Sequence, residues 1–295
     1  MGYIFLLISL FAGTLKGYCG KKTSSYTVSI GNAIFANTIR MILCILIGFI
    51  LILATEDLRI LIPSRTLLLI SALSGISSAV FVVTWLISVK KSAYMMLDIF
   101  LMLGVLIPLS ASSLFFSESI KPTQWIGIIV LFIAVVIMCA YNNDIKTKLT
   151  FPALILLLIC GIANGFADFS QKLFTKCIPN GSAAAFNFYT YVFAALVLIV
   201  AYTVIHKQTR NAEKTDLKKI FGYVFIMALC LFASSYFKTL AARYLSAVLL
   251  YPLNQGCALI LSSIMSVALF KETLTLKAVI GMITAFAGLL IINLL

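Results

Sequence analysis

The chain has 295 residues, of which 62% are hydrophobic and only 11% charged, and its mean hydropathy is +1.13. A soluble domain of this length cannot bury so much apolar surface, so the composition excludes a water-soluble protein and points to an all-α integral membrane protein. A net charge of +13 would suggest a nucleic-acid partner in a soluble chain. Here Lys and Arg gather at the ends of apolar stretches, where they suit the headgroups of a lipid bilayer, and no nucleic acid is implied.

Ten stretches supply the roughly 20 apolar residues that a bilayer crossing needs: residues 3–20, 28–54, 66–89, 92–116, 123–141, 151–171, 183–205, 220–242, 245–270 and 275–295. The first has neither a basic leading segment nor a small-residue cleavage site and reads as a retained span. In it Gly13, Lys16, Gly17 and Gly20 recur at i, i+3, i+4 and i+7, on one helical face. Glycines so spaced serve close helix packing or leave open volume. Lys16 is costlier: an ionisable group at the centre of a span costs at least roughly 2.5–3.5 kcal/mol, so it faces a cavity or partner unless it snorkels to the interface.

Span 2 carries Arg40, open to either a structural or a substrate role, and span 3 carries Thr84 and Trp85. In span 4, Asp98 lies in YMMLDIFLML; it pairs with a substrate cation, with Lys16 or Lys90/Lys91, or takes up a proton. Span 6 repeats the spacing of span 1 in Gly161, Asn164, Gly165 and Asp168. Span 8 has Ser234 and Ser235 one turn before Lys238; Trp85 and Lys238 serve either substrate contact or interface anchoring. Span 9 holds Tyr251-Pro252-Leu253-Asn254-Gln255, a proline that frees a carbonyl one turn back beside two amides. Spans 5 and 10 are apolar almost throughout and read as lipid-facing or homodimer-facing supports. Glu118 and Glu272 read as helix-end capping and loop-pairing residues.

The stretch Ser246–Glu272 repeats Ser92–Glu118 at a constant offset of 154, with Ser92/Ser246, Ala93/Ala247, Ser112/Ser266, Phe116/Phe270 and Glu118/Glu272 identical. Residues 3–54 align with 154–205 at an offset of 151, which sets Lys21 on Lys172 and Tyr191 on Arg40. The chain therefore divides at residues 1–150 and 151–295 into halves of five spans. Five is odd, so the second half enters the membrane from the opposite side: ten transmembrane helices as two inverted five-helix repeats, an arrangement that sets a binding site near the midplane.

This layout, a Lys closing the first span of each half (Lys21, Lys172), Arg40 in span 2 and the Phe116-Ser117-Glu118 and Phe270-Lys271-Glu272 patterns ahead of Ile126-Gly127 and Ile280-Gly281 resemble the drug/metabolite transporter superfamily, its EamA-type members in particular. The resemblance spans essentially the whole chain and departs from an exact repeat at Tyr191. It implies a central cavity and cytoplasmic termini, whereas Lys and Arg are more numerous in the odd-numbered loops, which by the positive-inside rule would set the termini outside. It leaves the substrate open among amino acids, other metabolites, nucleotide sugars, choline and drugs.

Seven scattered cysteines and a single histidine, His206, give no metal or disulfide framework, and no cofactor is implied. A catalytic cluster and a GxxxxGK nucleotide loop are both missing from the sequence, which argues against an enzyme or an ATP-driven pump. The expectation is a secondary active transporter working by alternating access, an exporter or exchanger of a small polar metabolite in a bacterial plasma membrane, driven by protons or a counter-substrate. Cations together with carboxylates favour an amino-acid-like zwitterion. The alternatives are a proton-coupled permease or exporter of choline-like organic cations and drugs, a nucleotide-sugar or phosphate carrier, and a channel. The predicted substrate site comprises Lys16, Trp85, Asp98, Asp168, Lys238, Tyr251, Asn254 and Gln255, with Asp98 and Asp168 as proton-coupling candidates.

Overall fold

Long apolar stretches satisfy their backbone in lipid only as helices or closed barrels. The computed structural model describes residues 1–26, 29–91, 94–118, 120–140, 150–208, 217–270 and 276–294, and every element among them is helical. In order these are α1 (Gly2–Ser24), α2 (Ile30–Thr55), a 3-10 turn (Leu58–Leu61), α3 (Arg65–Lys91), α4 (Tyr94–Gly104), α5 (Leu106–Phe116), α6 (Pro122–Ala140), α7 (Phe151–Cys177), α8 (Ala183–Gln208), α9 (Leu217–Tyr244), α10 (Ala247–Phe270) and α11 (Leu276–Leu294). By length and composition α1, α2, α3, α7, α8, α9 and α10 are able to cross a membrane, and shorter apolar helices occupy Phe100–Phe116, Pro122–Ala134 and Val279–Ile292.

Two boundaries differ from the sequence reading. The fourth span is not one helix: α4 and α5 meet at Val105, whose N–H bonds to Met102 O at 3.1 Å, a 3-10 step, instead of to the carbonyl one residue earlier. Pro108 accounts for the break, because it has no N–H for the Gly104 carbonyl and its ring crowds that oxygen. Pro252, by contrast, is absorbed within a continuous α10. Lys21 and Lys172 do not close their helices either, since α1 runs on to Ser24 and α7 to Cys177. Each ammonium has a carbonyl to bond: Lys21 Nζ donates to Val89 O near the end of α3 (3.0 Å), and Lys172 Nζ to Leu245 O (2.9 Å) and Ala242 O (3.3 Å) at the end of α9. Cations there suit both the spare carbonyls and the negative helix end.

The helices pack in reciprocal pairs: α1 along α9 and α3 along α7, α2 along α8, α6 along α11, while α10 touches both α4 and α1, and α7 touches α4 and α5. Where α4 crosses α7 the backbones touch. A Cβ on Gly104 would stand 2.0 Å from Gly161 O, and one on Gly165 2.2 Å from Gly104 O, so only glycine fits. The span-6 glycines are thus a packing surface. The α6–α11 pair crosses in the same way at Gly127 and Gly288, and its outer side (Ile129, Val136, Ile283) is exposed, as a lipid-facing surface is.

Candidate functional site

The polar residues that a bilayer span tolerates poorly converge between the helices. A cavity lies between α1, α3, α4, α7, α9 and α10. Its wall includes Lys16, Trp85, Lys238, Asn254 and Gln255, five of the eight residues read from the sequence. Ser9, Thr14, Asn164, Ser234 and Ser262 add hydrogen-bonding groups, and Phe81 and Leu101 add apolar surface. Ser9 Oγ donates to Ser234 O at 2.8 Å and lies 3.1 Å from Ser234 Oγ, which ties α1 to α9 across the wall.

Lys16 lies two turns inside α1, too deep to be read as a helix-end residue, with Nζ 5.8 Å from the centre of the Phe81 ring, a cation–π distance. Trp85 is buried and meets Gly20 with the edge of its indole, into which any Cβ there would run. The glycine stripe of span 1 therefore opens volume at Gly13 and Gly17, both cavity-lining, and seats a ring at Gly20.

Asp168 and Lys238 form an ion pair at 2.5 Å, the carboxylate 1% exposed. Asn164 Nδ2 also reaches Asp168 Oδ2 (3.5 Å). The carboxylate so stands behind Lys238, and the cavity meets the ammonium face of the pair. Tyr251 stands further back still: it is fully buried and its hydroxyl donates to Asp168 O at 2.7 Å, so it braces the site from outside the wall. Asp98 falls in α4, but its side chain lies outside the described residues. Arg40 is buried with Nε lacking a hydrogen-bond partner, next to Cys44 one turn on, and is not in the cavity wall.

One constellation was not read from the sequence, and of another only the capping and pairing role of Glu118 was. The first is a buried chain of hydrogen bonds outside the wall: Gln171 Nε2 to Ser235 Oγ (3.1 Å), Ser235 Oγ to Asn187 Oδ1 (2.6 Å), and Thr239 Oγ1 back to Ser235 O (2.8 Å). It joins α7, α8 and α9, and none of these residues breaks a hydrophobic pattern strongly enough to be noticed. The other centres on Glu118. Ser117 has a left-handed backbone (φ 52°) and ends α5, its N–H and that of Glu118 both turned on Ser112 O. Glu118 Oε1 then meets Lys172 Nζ at 3.1 Å and Lys176 Nζ at 3.0 Å, while Oε2 accepts from the N–H of Ala247, the first residue of α10, at 2.9 Å. Burial pushes this carboxyl up, but the Ala247 N–H, the charge on Lys172 and hydrogen bonds from both lysines outweigh it and hold the pKa below its ordinary value.

The sequence model of the EamA-like transporter family matches residues 151–294. That stretch, the second half of the chain, belongs to the EamA-like transporter family. Together with the helices long and apolar enough to cross a membrane, the match supports an integral, multi-pass membrane protein, as the resemblance of the Phe-x-Glu and Ile-Gly patterns implies. A solved structure described only as "Crystal structure of protein" is 13% identical and superposes with a TM-score of 0.74, over 99% of this chain and 97% of that one; at that identity the likeness speaks for the fold alone. No curated protein matches.

Proposed function

We propose that this EamA-family protein is a secondary active transporter, an exporter or exchanger that moves a small polar metabolite by alternating access through the cavity between α1, α3, α4, α7, α9 and α10. The observation that carries the reading is the wall itself: Lys16, Lys238, Asn254 and Gln255 face one volume, walled by helices of both halves. The reciprocal packing supports ten spans as two inverted five-helix repeats, 1–150 and 151–295. Exchanging α1, α2, α3, α4/α5 and α6 for α7, α8, α9, α10 and α11 turns the α1–α9 contact into α7–α3, α1–α10 into α7–α4/α5, and leaves α2–α8 and α6–α11 as self-pairs.

The favoured cargo is an amino-acid-like zwitterion, its carboxylate on Lys16 or Lys238, its ammonium on the amide oxygens of Asn254 and Gln255 or on Asp98. A second reading, a carrier of purely anionic metabolites such as phosphates, draws on the pairing of Asp168 with Lys238, which leaves ammonium groups on the cavity surface. Choline-like cations fit this surface less well. Protons or a counter-substrate drive the cycle, the membrane is a bacterial plasma membrane, and α6 with α11 offers the surface for lipid or a second copy. The test is a thermal-shift screen of purified protein against amino acids, sugar phosphates, quaternary amines and nucleosides, followed by counterflow of any stabilising compound in proteoliposomes. Saturable counterflow of an amino acid supports the first reading; non-saturating flux indicates a channel and defeats both.

A further inference from the structure

The Glu118 constellation lies on the face of the bundle that carries the N-terminal end of α1: the backbone of Gly2 lies against Tyr244 and Leu245, the residues that follow the Lys172-bound end of α9. Three helices lead from it to the cavity in register. Lys172 stands one turn beyond Asp168 on α7, Ala242 one turn beyond Lys238 on α9, and Ala247 one turn before Tyr251 on α10. The Asp168–Lys238–Tyr251 layer floors the cavity, and the Glu118–Lys172 layer lies one turn below it. Asp168, Lys172, Ala242, Ala247 and Tyr251 are all buried, and the side chains of Lys238 and Glu118 are 14% and 13% exposed.

Among the described residues, Glu118 alone brings the first half of the chain into this lower layer's ion pairing, with three bonds to two different helices of the second half. The carboxylate caps the start of α10 and neutralises the lysine that caps the end of α9, so one side chain fixes both sides of the Leu245–Ser246 turn. It is aimed there by the left-handed Ser117, a conformation that non-glycine residues adopt at a cost and that clusters at functional positions. A cap for one helix would need only one of these bonds.

We propose that Glu118 is the latch of the transport cycle: its carboxylate ties the end of α5 to α7 and α10, and the central cavity opens to the α1 N-terminal face only when those bonds part. The inference rests on the transporter reading, since a protein that does not alternate has no use for a latch. Substrate that draws Lys238 away from Asp168 acts on α7 and α9 one turn from the latch, which couples the occupied cavity to its release.

The test needs no substrate. In a variant with all seven cysteines replaced, a single Ala258→Cys places a reporter in the cavity wall on α10. The protein is reconstituted in vesicles, and the labelling rate with a membrane-impermeant maleimide is measured separately from each face. Labelling from the α1 N-terminal face is expected to be slow in the otherwise native protein and at least tenfold faster in Glu118→Gln and in Lys172→Met, while Lys176→Gln, whose side chain is 41% exposed, changes it little. If Glu118→Gln or Lys172→Met does not fold, Glu118→Asp, which keeps the charge but shortens its reach to Lys172 and Ala247, is expected to accelerate labelling from that face to an intermediate extent. An unchanged rate from that face in folded variants, or equal acceleration from both faces, overturns the latch. Failure of the transporter reading shows separately, as absence of saturable flux with the labelling result intact.

Discussion

Tyr251 and Lys238 meet at opposite sides of one residue: the tyrosine hydroxyl donates to the backbone carbonyl of Asp168 at 2.7 Å, and the lysine ammonium holds its carboxylate at 2.5 Å. Asp168 is thereby fixed by two neighbouring helices, α10 through its main chain and α9 through its side chain. It is the keystone of the cavity floor.

Breaking the pair from one side leaves a buried charge without a partner. Asp168→Asn and Lys238→Met are each expected to lower stability by about 3–5 kcal/mol, and the double variant to recover much of that loss. Thermal unfolding in detergent of the four proteins closes the cycle; strictly additive losses would show that the two groups do not interact.

Affinity is expected to follow the wall. Lys16→Met or Asn254→Ala weakens binding of an identified substrate by about 1–3 kcal/mol, the usual effect of removing one partner of a buried polar contact. Ile129→Ala or Ile283→Ala, on the exposed side of α6 and α11, leaves affinity unchanged. Titration calorimetry decides, and equal losses at all four positions would mean that the cavity is not where substrate sits.

The Glu118 bonds carry a pH signature. The folded-state pKa of this carboxyl is below its ordinary value, so its contribution to stability is complete above the unfolded-state value of about 4.3 and fades as pH falls through the lowered folded value. Lys172 and Lys176 are the cations facing it. Stability measured from pH 7 down to 3 is expected to fall less steeply in Glu118→Gln than in the parent; parallel curves would show that the carboxylate is not held by these partners.

Proton coupling separates the two acids. Asp98→Asn is expected to abolish the dependence of transport on a proton gradient if the cycle is proton-driven, whereas Asp168→Asn also unfolds the cavity floor. Uptake with and without an imposed gradient reads the difference, and a gradient response retained by both variants assigns the driving force to a counter-substrate.

Glycine positions offer a contrast free of any functional assumption. Gly161→Ala, whose new Cβ would stand 2.3 Å from Phe100 O, is expected to cost about 1–3 kcal/mol or more, because two backbones must separate. Gly222→Ala on α9 meets nothing within 4 Å and is expected to stabilise by roughly 1 kcal/mol through helix propensity. Thermal melts distinguish them directly.

The helical architecture was legible because apolar length is a property of the chain itself, whereas which helices pack together is not. The wall was legible where charge in an apolar span signalled it, as at Lys16 and Lys238. The rest depends on three-dimensional neighbours. Nothing local distinguishes Asp168, turned to Lys238, from a carboxylate open to the cavity, and Tyr251 differs from a wall residue only by which side of α10 it occupies. Pro108 did carry a local signal for the break at Val105, but Pro252 has the same chemistry and leaves α10 intact. The hydrogen-bonded chain through Gln171, Ser235 and Asn187 joins residues that look unremarkable one at a time.

The break at Val105 has a consequence for energetics. In the proposed carrier, two identical inverted halves would make the states facing either side of the membrane related by the two-fold rotation that exchanges the halves, equal in free energy and equally populated. Here α4 and α5 are jointed while α10 is continuous, so that rotation does not carry one state onto the other. On that reading the degeneracy is lifted by the chain alone, before any gradient or cargo acts, and the empty carrier has a preferred side to wait on.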